Sequence, residues 1–173
     1  MILLIAEIFS LLSSLSLIIG SIQKTHKRII ILSMVESILV IISESLFGAT
    51  AGVITTVVLL IIDFMNFIDK DNKYLTIILM IALAIIGIIT METWYDLLPM
   101  IASIVYTWLI VFKKKLITEI GLLINTILWL IYDAHIGSII YTIMDSIVVI
   151  LCIIEIIKII ILKDKRVKEK QVA

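Results

Sequence analysis

The sequence predicts an all-α integral membrane protein with seven transmembrane helices, arranged as two parallel three-helix bundles joined by a linker helix. Three observations favour this fold: an apolar composition, seven apolar segments of spanning length, and basic residues confined to alternate loops. Of the 173 residues, 62% are hydrophobic and 16% are charged, whereas a soluble domain is about 45–50% apolar and about 25% charged. The composition excludes a soluble globular enzyme and a disordered chain, and it places the protein in a lipid bilayer.

Seven segments have the length that crosses a membrane. A helix rises about 1.5 Å per residue, so about 20 apolar residues span a hydrocarbon core of about 30 Å. Runs such as Ile147–Ile154 lack the polar–apolar alternation of β-barrel strands, so helices are favoured. The predicted helices cover residues 2–22, 29–46, 50–68, 74–91, 95–112, 116–134 and 138–158.

Glycine and proline mark several of the predicted boundaries. Gly48 separates the second segment from the third, and Gly137 precedes the seventh. Pro99 falls in the first turns of the fifth helix, where a missing N–H costs least. We therefore expect Gly48, Pro99 and Gly137 to act as structural or hinge positions.

Positive charge predicts the orientation of the chain. All fourteen lysines and arginines fall in the loops after helices one, three and five, or from the end of helix seven onward. The N-terminus and the other loops carry none, and cytoplasmic loops carry the Lys/Arg excess. The pattern predicts a multi-pass protein of the bacterial cytoplasmic (inner) membrane, with its N-terminus outside, its C-terminus inside and a basic cytoplasmic tail at 159–173.

An internal repeat follows from a shift of 89 positions. This shift pairs Gly48 with Gly137, Glu44 with Asp133, and Lys24 with Lys113. The whole transmembrane domain, 1–158, then divides into repeat one at 2–68, a linker helix at 74–91 and repeat two at 95–158. Because each repeat has an odd number of helices, the linker helix must cross the membrane to keep the two repeats parallel.

Several short motifs together resemble those of the YgjV family of bacterial inner-membrane proteins along nearly the whole chain. They are Gly48 and Gly52, Leu97-Leu98-Pro99, Thr107-Trp108, Trp129-Leu130-Ile131, and Gly137-Ser138 with Thr142 and Asp145. The family is similar to the SWEET, PQ-loop and nicotinamide-riboside-transporter (PnuC) group, which implies the 3+1+3 helix arrangement. The chain lacks the Pro-Gln pair of the PQ-loop proteins, so the resemblance names no substrate.

Polar residues near the middle of the predicted helices are the candidate site. A charged group inside a bilayer costs a few kcal/mol, so such a residue suggests a function. Glu36 and Asp145 lie near the middle of helices two and seven, while Asn125, Trp129 and Tyr132 share one face of helix six. The functional interpretation is a polar, acidic central cavity in which Glu36 and Asp145 bind a proton or cationic substrate. Asn125 and the two aromatic residues would line its wall.

Other polar residues have simpler interpretations. We expect Glu44, Asp133 and His135 to be solvated near the outer surface, and Cys152 to fill apolar space. One cysteine supports no intramolecular disulfide, and a lone histidine supports no metal site. The sequence therefore predicts no metal and no cofactor, and the balanced charge favours no nucleic-acid partner.

Two principal functions remain open. The first is a small-molecule or ion transporter, with the lipid bilayer and a small molecule or cation as partners. The second is a non-transporting membrane scaffold or assembly partner. Tyr132-Asp133 with Asp145 superficially suggests an intramembrane aspartyl enzyme, but Asp145 lacks the glycine-flanked setting of that class, and we expect no enzymatic activity. The oligomeric state, including a homo-oligomer, is left open.

The charge asymmetry predicts the result of a reporter fusion. Green fluorescent protein fused after Lys170 should fluoresce, and alkaline phosphatase fused at the same place should be inactive, because this end is expected in the cytoplasm. The matched fusion after Thr93, in a loop without basic residues, should give the opposite pair of signals. Active phosphatase after Lys170 would contradict the predicted orientation.

Overall fold

The computed structural model describes residues 1–21, 26–68, 73–110 and 115–172, and gives the backbone alone for residues 20, 21, 26, 73, 110 and 162–172. These residues form seven α-helices and no β-strand. A short 3-10 helix, Trp94–Asp96, precedes the fifth α-helix. The α-helices are α1 Ile2–Ser21, α2 His26–Phe47, α3 Thr50–Phe67, α4 Lys73–Thr90, α5 Leu97–Ile110, α6 Lys115–Ile136 and α7 Ile139–Val172.

All seven predicted helices are present in the described residues, with bounds that differ by a few residues in most cases and by more in the seventh. The fifth begins at Leu97 rather than at residue 95, because Asp96 accepts hydrogen bonds from the backbone N–H groups of Glu92 and Thr93 and fixes a 3-10 turn there. The seventh continues as a helix to Val172, through the segment predicted as a tail. The basic loops at 22–25, 69–72 and 111–114, used to predict the orientation, lie outside the described residues.

Four of the described helices are long and apolar enough to cross a membrane. They cover Ile2–Ile19, Lys27–Phe47, Thr50–Phe67 and Lys115–Ile136, and Tyr74–Thr90 is a shorter apolar helix. Large apolar side chains are exposed on these helices and on α5, including Leu4 at 67%, Ile89 at 76% and Trp108 at 70%. Such surfaces suit contact with lipid, where exposed apolar groups carry no hydration cost.

Two glycine turns join α2 to α3 and α6 to α7. Gly48 and Gly137 have φ of 74° and 80°, the left-handed region that ends many helices. The N–H of Ala49 donates to the Glu44 carbonyl at 2.8 Å, and the N–H of Ser138 donates to the Asp133 carbonyl at 3.0 Å. The two turns are equivalent under the 89-residue shift, and we call the end of the bundle that holds them the glycine-turn end.

The helix contacts follow a regular order. Consecutive helices pack most closely from α1 through α3 and from α5 through α7, and these two sets meet where α1 contacts α7 and α3 contacts α5. The α4 helix packs against α3 and α5 through an apolar cluster formed by Val58, Met80, Leu83 and Met100. Pro99 is fully buried in the first turn of α5, where the missing N–H leaves no helical bond unmade.

The glycine turns predict a backbone effect that is free of steric clash. A Cβ added at Gly48 or Gly137 would meet no atom within 4 Å, so alanine there should cost only the left-handed conformation, about 1–2 kcal/mol. Gly48→Ala and Gly137→Ala should each lower the thermal unfolding midpoint in detergent. Asparagine tolerates this conformation better, so Gly48→Asn and Gly137→Asn are the controls, with smaller losses. Equal midpoints for the alanine variants and the wild type would contradict these φ angles.

Candidate functional site

Small polar residues allow α1 and α2 to approach closely. The hydroxyls of Ser10 and Ser43 lie 2.7 Å apart, and the Ser43 hydroxyl also donates to the Ala6 carbonyl at 2.9 Å. Both serines and Ala6 are fully buried. Short side chains with internal hydrogen bonds are the usual means of joining helices in lipid, so this serine face holds the first helix pair together.

The two sets of three helices are connected by polar contacts between α1 and α7. The Glu7 carboxylate accepts the first two N–H groups of α7, from Ile139 at 2.7 Å and Ile140 at 3.0 Å. A carboxylate is stabilised at this position because the first N–H groups of a helix lack helical partners and carry partial positive charge. One layer deeper, the hydroxyls of Ser13 and Tyr141 lie 2.7 Å apart.

Gly52 is the point at which α2, α3 and α6 meet. Its N–H donates to the Tyr132 hydroxyl at 2.9 Å. A Cβ at this position would overlap the carboxylate of Glu44, so only glycine leaves room for that group. Tyr132 and Glu44 are both fully buried. The small residue at the start of α3 therefore allows an acidic and a phenolic side chain to share one buried space.

Further carboxyl groups lie deeper in the bundle than the contact at Gly52. The side chains of Asp133 in α6 and Asp145 in α7 are close enough to interact electrostatically. Asp145 and Asp63 are the acidic neighbours of Glu36. Asp63 accepts a hydrogen bond from Ser33 at 2.5 Å, between α2 and α3.

The acids lie at successive depths. At about 1.5 Å per residue, Glu44 and Asp133 lie about 5 Å from the helix ends at the glycine turns, and Asp145 about 10 Å. Glu36 and Asp63 lie about 17 and 20 Å from the same end of the bundle. The series therefore covers about 15 Å, roughly half of a hydrocarbon core of about 30 Å.

No ion pair among the described residues involves an acid of this series. The ion pairs given for the described residues both involve Glu155, which contacts Lys115 at 2.7 Å and Lys158 at 3.8 Å near the opposite end of the bundle. Each lysine is about two-thirds exposed. The acids of the interior thus have no lysine or arginine partner among the residues that the structure describes.

The five predicted site residues have different surroundings. Glu36 and Asp145 are half-buried among other acids. Tyr132 is fully buried, and its hydroxyl accepts a hydrogen bond from the Gly52 N–H. The rings of Trp129 and Tyr132 make an edge-to-face contact, with ring centres 5.8 Å apart. Trp129 packs with the apolar cluster around Ala49 and Leu98. Asn125 is half-buried one turn before Trp129.

Two acids that the sequence interpretation placed in solvent are buried. Glu44 is 0% exposed and Asp133 is 3% exposed, so the expectation for both was wrong. Position near a helix end suggested exposure, but the glycine turns fold α3 and α7 back against these residues. The pairing of Glu44 with Asp133 under the 89-residue shift was the sequence signal that could have indicated their burial. His135 is exposed as expected, and its ring stacks on Tyr95 with centres 4.8 Å apart.

The acids can bind positive charge or pass protons between neighbouring carboxyl groups. In the described part of the chain, no group of three or more His, Cys, Asp or Glu side chains is placed to hold a metal ion. Cys152 is a buried free thiol in α7. The arrangement therefore suits a proton or a single small cation better than a multiply coordinated metal.

Comparison with known proteins gives one match. A sequence model of the family Imp-YgjV, described as bacterial inner membrane protein, matches residues 4–163. No curated protein and no solved structure matches the chain at a significant level.

The contact between Glu44 and Gly52 predicts a strong coupling between two substitutions. Gly52→Ala should lower the thermal unfolding midpoint, because overpacking a buried site typically costs about 1–3 kcal/mol. In a Glu44→Ala background the same change should cost much less, since the overlapping carboxylate is gone. Gly87→Ala, where the added Cβ meets the flexible Met100 side chain, is the control for a close glycine elsewhere. Additive effects of the two substitutions at Gly52 and Glu44 would contradict this packing.

Proposed function

Because the chain belongs to the Imp-YgjV family of bacterial inner membrane proteins, we propose that it is a small-molecule or ion transporter of that membrane. The observation that carries the proposal is the series of carboxyl groups from Glu44 and Asp133 through Asp145 to Glu36 and Asp63. Ionisable groups are costly inside a bilayer and commonly mark ion or proton pathways. A protein that only filled the membrane would gain nothing from five acids at successive depths.

The helix arrangement proposed for this function is 3+1+3, with α1–α3 and α5–α7 as parallel repeats and α4 as the linker. The contact of α1 with α7 becomes that of α5 with α3 under the 89-residue shift, as a two-fold axis along the membrane normal requires. The equivalent glycine turns add independent support, since both orient the third helix of a repeat with the same pair of helix-ending contacts.

Transport would use the interface between the repeats. The two sets meet where α1 packs against α7, where α3 packs against α5, and where Gly52 of α3 bonds to Tyr132 of α6. Glu36 lies on α2 and Asn125 lies on α6. A polar, acidic cavity between the repeats would expose these residues alternately to the two sides of the membrane. The orientation predicted from the basic loops places the glycine-turn end outside.

The substrate class follows from the sign of the interior charge. Acids without described basic partners attract cations or hold protons, so the transported species is either a cation or a solute that moves together with protons. Glu36 and Asp145, half-buried near mid-membrane, would bind it. Tyr132 and Trp129 would stabilise the wall beside it.

The proposal predicts that Glu36 and Asp145 are required for transport. The purified protein is first screened by thermal unfolding against sugars, vitamins, nucleosides and inorganic cations, since a specific ligand stabilises the folded state. Uptake of each stabilising compound is then measured in liposomes. Glu36→Gln and Asp145→Asn should reduce uptake at least tenfold at unchanged protein abundance.

Glu92→Gln, a change at an exposed acid, is the matched control and should transport normally. Normal uptake by both interior variants would remove these residues from the mechanism. A wild-type protein that takes up none of the compounds, while a partner protein copurifies with it, would favour the scaffold function instead.

A further inference from the structure

Three buried carboxyl oxygens at the glycine-turn end have no hydrogen-bond partner among the described residues. They are Oε1 and Oε2 of Glu44 and Oδ1 of Asp133. A buried acceptor left without a partner is unfavourable, and a charged one more so. Ser43, next to Glu44 in α2, has hydrogen-bond partners in Ser10 and the Ala6 carbonyl, whereas the buried hydroxyl of Ser103 in α5 has none among the described residues.

Each of the two acids faces further ionisable groups on several helices. Glu44 faces Asp133 and Tyr132 of α6, Tyr141 of α7 and, on its own helix, Glu36. Asp133 faces Asp145 of α7 and Glu7 of α1. The surrounding groups are acidic or phenolic, and none supplies a positive charge.

The helix ends around the two acids carry partial charges of both signs. Glu44 and Asp133 lie in the last turns of α2 and α6, near C-termini with partial negative charge, while Gly52, against the Glu44 carboxylate, lies in the first turn of α3. The positive end of α7 is already bonded to the Glu7 carboxylate. Two acids without a lysine or arginine partner among the described residues favour a cation over an anionic ligand.

The space is small. The Glu44 carboxylate lies directly against the Cα of Gly52, and the fully buried Tyr132 accepts a hydrogen bond from the Gly52 N–H. Organic cations with several carbon atoms do not suit such a closely packed location. Two carboxyl groups with a phenolic oxygen nearby suit one small monovalent cation.

We infer that Glu44 and Asp133 form a binding site for one small monovalent cation, a sodium ion or a proton, at the glycine-turn end of the bundle. The site adjoins Asp145 through Asp133 and lies about 5 Å from the helix ends. The inference deepens the proposed transport function, because it supplies the coupling ion that would reach Asp145 through its contact with Asp133.

The first test measures the thermal unfolding midpoint of the full-length protein in detergent. Sodium chloride is compared with choline chloride at pH 8, and pH 5.5 with pH 8 in choline alone. A sodium site predicts a midpoint raised by about 5 °C in saturating sodium. A proton site predicts a similar rise at the lower pH without sodium. Either response should be lost in Glu44→Gln and Asp133→Asn and kept in the control Glu92→Gln.

A second test uses the wild-type protein, so it does not depend on the folding of a variant. Dicyclohexylcarbodiimide modifies protonated carboxyl groups in apolar surroundings, and peptide mass spectrometry locates the product. Modification of Glu44 or Asp133 should fall at least threefold as pH rises for a proton site, or on sodium addition for a sodium site. Modification that neither sodium nor pH changes would overturn the inference, as would an unchanged cation response of both variants in the first test.

The outcomes separate this inference from the proposed function. Cation binding at Glu44 and Asp133 with no transport of any compound would leave the site intact and remove the transporter. Uptake that depends on Glu36 and Asp145, together with no cation response at Glu44 and Asp133, would leave the transporter and remove the site.

Discussion

The close approach of three helices at Gly52 is the constraint on which the acidic interior depends. The Glu44 carboxylate and the Tyr132 hydroxyl both meet this residue, one across its Cα and the other at its N–H. A side chain at Gly52 would separate α3 from α2 and α6. The acids that lie deeper in the bundle than Gly52 would then lose the packing that separates them from lipid. In an apolar medium such polar groups must be satisfied within the protein, so the geometry at Gly52 sets the position of the series beneath it.

The two proposed repeats have matching glycine turns but differ in the side chains near those turns. Under the 89-residue shift, Tyr132 corresponds to Ser43 and Tyr141 corresponds to Gly52. The large residues belong to the second repeat, and both reach into the first, Tyr132 to Gly52 and Tyr141 to Ser13. Small residues of the first proposed repeat therefore contact tyrosines of the second. This asymmetry allows close contact where two identical surfaces would either clash or leave a void.

Much of the fold could be predicted from the sequence because hydrophobic length and glycine position are local signals. The seven helices, the turns at Gly48 and Gly137, and the place of Pro99 in the first turn of α5 follow from such local signals. The burial of Glu44 and Asp133 depends on how α3 and α7 return against the preceding helices, which no local pattern reports. The contact of Glu7 with the start of α7 likewise joins residues 132 positions apart. Long-range packing, rather than composition, decided which acids became interior groups.

We expect positive charge to move through the acidic interior of the proposed transporter. The most direct test uses liposomes that contain the full-length protein and are adsorbed to a solid-supported membrane. The electrical current is recorded after a jump in sodium or proton concentration. We predict a transient movement of positive charge into the liposomes for the wild-type protein. Changing Glu36 to glutamine should abolish this current. Absence of any current from correctly folded wild-type protein, for sodium and for protons alike, would contradict it.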